Sequence, residues 1–397
     1  MFGINYAPEP TGTALNNTAL AEALGERGWK VRVVSGVPHY PMWRRQPAPA
    51  TETWDGVNLV RRRHYVPQTQ SALRRGVYEL SWLLSSLPTL ARGWTPDVVL
   101  GIVPALSGAA LALTAARRYR VPAALKVQDV MGRAAEQSRM AGGARVAGAV
   151  RAFELAAARR ADGIAVISES FRDYFLAGGV EPQRIWSVRD PARLGPVSEP
   201  RDAVRARLGW RDRDFVVLHT GSMGYKQGLE TVVHAAYRSR ADAGLRFVLQ
   251  GDGNQRADLE GLAAGLRVPN LSFLPLAPEA EFAGIVRAAD LLLLVQRASV
   301  RNMSRPAKLS SYLAAGVPVL ASVSSEDETA RELGLAQAGL VVAPDDPDAL
   351  LAGIAKLRAE PGRREAFGEN GRRYADRYLS PEASADQMEE FLRAVIS

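Results

Sequence analysis

The sequence predicts an α/β protein made of two open domains, each a parallel sheet with helices on both faces. The first observation behind this is that short apolar, β-rich runs alternate with helical patterns along the chain, as parallel strands joined by crossover helices require. The second is that the series restarts. Val31 to Ser35, Val98 to Ile102, Ala123 to Val127 and Gly163 to Ile167 precede a proline-rich break, and Phe215 to Thr220, Phe247 to Gln250, Leu271 to Phe273, Leu291 to Val295, Val317 to Ala321 and Gly339 to Val342 follow it. The third is size: 397 residues, 47% of them hydrophobic, exceed one ordinary core and suffice for two.

The elements follow in order. Met1 to Asn5 is short for a buried strand of about five or six residues, so the first strand is either stunted or begins upstream. A turn rich in glycine and proline, Asn5 to Asn17, leads to a helix predicted over Thr18 to Arg27. Ala72 to Leu87 carries apolar and basic residues at helical spacing. A core-facing helix is the expectation there and at Arg139 to Arg160, with contact to a membrane surface as the alternative. Asp190 to Pro200 breaks every periodicity and marks a linker. The domains are therefore set at 1–192 and 193–375. Residues 376–397 form a C-terminal helix packing back on the first domain, with Ser380 as N-cap and Pro381 at the first helical position. Ligands of open α/β sheets bind beyond the carboxyl ends of the strands, so two such domains facing each other make a cleft.

Composition excludes several classes. The absence of cysteine removes disulfides, thiolate metal sites and a Cys nucleophile. No secretory signal pattern and no apolar run of about 18 residues is found; a cytoplasmic protein is expected, with peripheral contact at the inner face of the membrane left open. The net charge of +8 suits phosphates or anionic lipid, or reflects arginine-rich codon usage. No aromatic-plus-basic module for nucleic acid is present.

The candidate site residues sit where strands meet helices. The turn containing Gly12 and Thr13 precedes a helix, whose free N–H groups hold an anion or a sugar hydroxyl. His219 to Glu230 follows a strand: Gly221, Ser222 and Gly224 let backbone approach a phosphate, and Lys226 supplies a compact charge for a leaving diphosphate. The pattern is not a Walker loop. Gln250-Gly-Asp-Gly-Asn-Gln255 fits a tight turn near a nucleotide. It lacks the third glycine of the dinucleotide fingerprint, which argues against an NAD(P)-dependent oxidoreductase. In Arg301 to Ala321, Pro306 suits the first turn of a helix that Gly316 ends, and Arg305, Lys308 and the helix N-terminus together either neutralise a diphosphate or form a solvated basic turn. Asp129, just after a strand, is the carboxylate of the N-terminal half best placed for acceptor or donor sugar, and His39 and Tyr40 follow another strand.

Taken in order, Asn5-Tyr-Ala-Pro-Glu-Pro-Thr-Gly12, Val37-Pro-His-Tyr-Pro41, Val127-Gln-Asp129, Gly221-Ser-Met-Gly with Gln227-Gly-Leu-Glu230, Gly251-Asp-Gly253 and Pro306-Ala-Lys-Leu continuing to Gly316-Val-Pro318 resemble glycosyltransferase family 4. The branch they resemble contains bacterial fucosyl- and N-acetylfucosaminyltransferases. The resemblance covers nearly the whole chain. It implies a GT-B fold, two Rossmann-like domains facing each other across a cleft. A nucleoside-diphosphate sugar donor, GDP- or UDP-linked, is held by the C-terminal domain, and a glycan, lipid-linked or small natural-product acceptor by the N-terminal one. It also implies retention at the anomeric carbon with no metal and no cofactor beyond the donor substrate. By motif, Gly12 and Thr13 approach the donor sugar or phosphate, Lys226 and Lys308 the diphosphate, Gly251, Leu274, Pro275 and Leu276 the base, and Glu9, His39 and Tyr40 the acceptor. Asp129, Lys226 and Lys308 take the catalytic roles.

One departure stands out. Many members carry two glutamates eight positions apart, where this chain has Met303 and Ser311. A substitute lies in Ser324 to Thr329: Glu328 binds ribose hydroxyls with Thr329 near phosphate, or the acids merely complement a helix N-terminus. The missing glutamates keep alive the alternative of a non-catalytic nucleotide- or sugar-binding protein of the same fold. For a transferase, Lys308→Ala and Lys226→Ala are each expected to lower turnover sharply, because phosphate charge grows as the glycosidic bond breaks.

Overall fold

The computed structural model describes residues 1–10, 12–69, 71–91, 94–131, 143–299 and 307–397. Two compact units emerge, Met1–Pro191 together with Pro381–Ser397, and Ala192–Ser380.

Unit 1 has strands β1 (Arg32–Gly36), β2 (Thr51–Trp54), β3 (Val57–Arg62), β4 (Val99–Val103), β5 (Ala123–Val127), β6 (Gly163–Val166) and β7 (Ile185–Ser187). They run in the orders β1-β3-β2 and β4-β5-β6-β7. Residues 1–4 join the two groups: Phe2 bridges Val34 on β1 and Gly101 on β4 in parallel, with Phe2 N donating to Leu100 O (2.8 Å) and Ile102 N to Phe2 O (2.9 Å). The short opening segment is thus the centre of the sheet. Neighbouring residues point to opposite faces. Val99, Leu125 and Ile164 join a core with Trp82 and Phe171, while Leu100, Ala124 and Ala165 meet Leu20, Leu24, Phe391 and Leu392. The last two lie on the terminal helix Pro381–Ile396. Gly163 allows this approach, since a Cβ there would stand 2.8 Å from the Phe391 ring and 2.5 Å from Val395.

Sequence periodicity missed β2 and β3, whose Glu52, Asn58 and Arg61 interrupt the apolar alternation. Their hairpin is nevertheless written in Asp55-Gly56, with φ of 47° and 80°, the positive pair a type I′ turn requires. The first helix runs Gly12–Glu26, six residues earlier than expected, so Gly12 and Thr13 form its first turn rather than a loop. The helix pins that loop: Thr18 Oγ1 accepts from Ala7 N (3.0 Å) and Asn17 Nδ2 donates to Asn5 O (3.0 Å).

Unit 2 is one six-stranded sheet of β8 (Phe215–Ser222), β9 (Leu245–Asp252), β10 (Leu271–Leu274), β11 (Leu291–Val295), β12 (Val319–Ser322) and β13 (Gly339–Val342). The order is β10-β9-β8-β11-β12-β13 and every pairing is parallel. This is a doubly wound sheet that reverses direction between β8 and β11. Alternation is again strict: Val217, Leu249 and Leu293 face one core, Val216, Val248 and Leu292 the other. The strand expected from Val317 starts at Val319, because Pro318 has no N–H for the ladder. Gly316, at φ 70°, follows the helix Ala307–Ala315.

Among the described residues no helix is long and apolar enough to cross a membrane.

Candidate active site

In a doubly wound sheet the ligand crevice opens where strand order reverses, beyond the carboxyl ends of the strands. In unit 2 that point lies between β8 and β11, and three site residues converge on it. His219, near the end of β8, is fully buried, with Nδ1 3.1 Å from Leu293 O on β11. A carbonyl only accepts, so Nδ1 carries the proton. Nε2 then faces Lys308 Nζ at 3.2 Å as an acceptor. Burial and the neighbouring Lys308 hold His219 well below its ordinary pKa, consistent with this neutral form.

Lys308 stands in the first turn of the helix after β11. Burial pushes its pKa down to about 7, and no acid among the described residues pairs with it. Its Nζ lies 3.5 Å from where a Gly221 Cβ would be. The Lys308 ammonium and the Gly221 backbone are therefore neighbours at the end of β8. A half-buried cation without a counter-charge is costly, so this position favours an anion.

The surrounding loops are fixed by glycines and by Tyr312. Gly251 has φ 146°, and a Cβ there would fall 1.8 Å from Gly221 O, so the ends of β8 and β9 touch only because Gly251 lacks a side chain. Tyr312, fully buried on the Lys308 helix, accepts at its hydroxyl from Thr220 N (2.9 Å) and fixes that helix to β8. Arg256 donates to Gly251 O (2.5 Å) and Leu274 O (3.2 Å), tying together two of the expected base-binding positions. Pro275 and Leu276 beyond them are exposed, Leu276 by 63%. Periodicity gave no sign of Arg256, because its partners are carbonyls on separate strands.

The remaining unit 2 candidates divide. Ser222 and Lys226 are exposed. Gly224 N is taken by Gln227 Oε1 (3.1 Å). Glu328 and Thr329 open the helix Glu328–Ala336, where Asp327 caps Thr329 N at 2.8 Å; both are buried, at 6% and 0% exposure. Ser311, in the place of a family glutamate, is buried and donates to Arg193 O (2.8 Å). Arg305 and Met303 lie outside the described residues.

In unit 1 the order reverses at residues 1–4, and the loop beyond them carries Glu9. Its carboxylate is 2% exposed and accepts from His39 N (2.7 Å), Tyr40 N (3.0 Å) and Asn5 Nδ2 (2.8 Å). His39 Nδ1 lies 3.1 Å from Glu9 and Nε2 3.2 Å from the Tyr78 hydroxyl. Glu9 and His39 thus hold the Pro38 to Gln46 loop, and Tyr40 and Asp129, also expected at the site, are half-buried. Asp129 Oδ1 accepts from Val130 N (2.8 Å). The edge-to-face ring pairs that Tyr40 and Tyr78 form with Trp43, and an ion pair of buried Lys126 with Asp190 (2.7 Å), carried no sequence signal.

A sheet whose strand order reverses in each unit, with half-buried Lys308 at the unit 2 switch point, defines an α/β architecture of two Rossmann-like domains. Residues 11–190 match the model of the glycosyl transferase 4-like domain, and 200–374 that of glycosyl transferases group 1. A putative colanic acid biosynthesis glycosyl transferase, WcaI of Escherichia coli (strain K12), is 31% identical over 403 residues and covers 96% of both chains. A 2-deoxystreptamine glucosyltransferase from Streptomyces kanamyceticus is 29% identical over 69% of this chain and 72% of its own. Among solved structures, a sucrose-phosphate synthase from Thermosynechococcus elongatus superposes with a TM-score of 0.75 at 18% identity, covering 99% of this chain and 98% of that one. HepE of Anabaena in complex with UDP and glucose gives 0.69 at 14% identity, covering 99% of each. The chain belongs to glycosyltransferase family 4, with the GT-B fold, and is a glycosyltransferase.

Proposed function

We propose that the protein transfers a sugar, with retention and without a metal, from a GDP- or UDP-linked donor to a glycan or lipid-linked acceptor. The single observation that carries this reading is Lys308: a half-buried lysine at the strand-order switch, its Nζ beside Gly221 and 3.2 Å from the neutral His219 ring, pushed down to about 7 by desolvation. As the glycosidic bond breaks, the departing diphosphate gains charge, and a preorganised cation stabilises that change more than it stabilises the bound donor. Lys226, at the rim, adds a second positive charge. The acceptor hydroxyl attacks from the face the diphosphate leaves, its proton passing to the departing phosphate, so no protein nucleophile is needed. In unit 1, Asp129 and Tyr40 orient the acceptor, and Glu9 and His39 position the Tyr40 loop. In unit 2, the Gly251 turn and Leu274 to Leu276 receive the base.

The ordered motifs favour the fucosyl- and N-acetylfucosaminyltransferase-like branch as the finer placement, and the name of the E. coli relative favours a polysaccharide intermediate. A small natural-product acceptor is the second reading, favoured by the Streptomyces kanamyceticus relative. The test is a thermal-shift screen with GDP, UDP, dTDP, ADP and NAD, since a ligand that binds only the folded state raises the melting temperature. A shift with GDP or UDP that Lys308→Ala abolishes supports the reading and names the base. A shift with NAD alone overturns it.

A further inference from the structure

The short turn that carries Lys226, Tyr225–Gln227, lies between the end of β8 and the helix Glu230–Arg238, and it is held from across the strand-order switch. Arg297, just past the end of β11, donates from its backbone N to Lys226 O (3.0 Å) and from Nε to Tyr225 O (2.7 Å). Its guanidinium carbon stands 4.2 Å from the centre of the Tyr225 ring. A terminal nitrogen of the same group donates to the carboxylate of Glu230, in the first turn of the following helix.

The approach depends on a glycine and on a second anchor. Gly228 follows the turn at φ 60°, and a Cβ there would stand 2.9 Å from Arg297 Cγ. Beyond Arg297, Ala298 N donates to Asp345 Oδ2 (2.8 Å), in the loop after β13. The arginine is therefore fixed on both sides, by the turn it holds and by the next loop along the sheet.

This arrangement suits arginine alone. A planar fork satisfies a carbonyl, a carboxylate and an aromatic face at once, which an ammonium cannot do. The Arg297 side chain is only 19% exposed and its charge is already matched by Glu230, so what it offers the site is the placement of another residue's charge. Lys226 is exposed on a flexible stem. Ordering such a side chain against a phosphate costs conformational entropy, and a backbone held beforehand leaves less to order.

We infer that Arg297 is a positioning residue: it anchors the Tyr225–Gln227 turn to the end of β11 so that Lys226 is presented to the outer phosphate of a bound nucleoside diphosphate. The inference rests on the assignment of Lys226 to the diphosphate made above.

The experiment compares the affinity of the full chain for GDP with that for GMP, and for UDP with that for UMP, by titration calorimetry. The ratio within a pair reports contacts to the outer phosphate, whereas damage to the fold weakens both members alike. Lys226→Ala and Arg297→Met should each lower the diphosphate preference about fivefold, and the double variant should fall no further than Lys226→Ala alone, because one residue acts through the other. Arg297→Lys should lose as much as Arg297→Met; being the milder change, it carries the test if the methionine variant does not fold. An unchanged preference in the Arg297 variants, losses that multiply in the double variant, or full preference in Arg297→Lys overturns the inference and leaves the Lys226 reading standing. No preference for either diphosphate in the wild-type protein, or one unchanged in Lys226→Ala, overturns the Lys226 reading and the inference with it.

Discussion

In unit 1 the loop beyond the central strand buries an acid, Glu9, and in unit 2 the helix beyond β11 half-buries a base, Lys308. The acid's oxygens accept from two backbone amides and from Asn5, so its charge is spent inside the protein. The base has one hydrogen bond, to a neutral imidazole, among the described residues. A satisfied buried ion builds structure, whereas one whose counter-charge is missing is poised for a ligand. The same sheet logic thus places a satisfied acid in one unit and, in the other, a lysine with no acid paired to it among the described residues.

Lys308→Ala should separate the two most sharply. Turnover is expected to fall about 10²- to 10³-fold, measured as sugar transfer or donor hydrolysis, while the nucleotide-free protein melts no lower. Glu9→Ala should do the reverse. It strands two buried amides and costs roughly 2–5 kcal/mol of stability in urea, with nucleotide thermal shifts intact in whatever protein folds. Gly251→Ala should cost about 3 kcal/mol or more, because its Cβ cannot coexist with Gly221 O; a melting temperature unchanged from wild type would break this account of the β8–β9 contact.

The pH dependence sharpens the comparison. With Lys308 at about 7 in the folded state against an ordinary 10.5, the unfolded chain binds more protons between those values. Stability from this group therefore rises with pH across that window, and Lys308→Met should flatten the slope of melting temperature from pH 7 to 10. Diphosphate favours the charged form, so nucleotide affinity should fall as pH rises above about 7. Titration calorimetry at pH 8 in buffers of different ionisation enthalpy should register proton uptake. The smallest effect is expected at the rim: Lys226 is exposed, and Lys226→Ala should lower turnover about tenfold, less than its motif alone suggests. Ser311→Glu should not raise turnover, since the buried serine is a donor to Arg193 O and a carboxylate cannot replace it.

Sequence by itself determined the alternating elements, the linker near Asp190 and the ordered loops from Gly221 to Pro318. Those signals are local, set by residue periodicity, backbone freedom and missing N–H groups. It could not separate Lys226 from Lys308, because both are lysines after a strand and only packing half-buries Lys308 and leaves Lys226 exposed. Nor could it show that Glu9 and His39 turn inward, that Arg256 joins two strand ends, or that the Ala72–Ser86 helix exposes one apolar line while burying Trp82. These depend on contacts between residues far apart in the chain, and desolvation, which gives Lys308 its chemistry, exists only once the tertiary structure has closed around it.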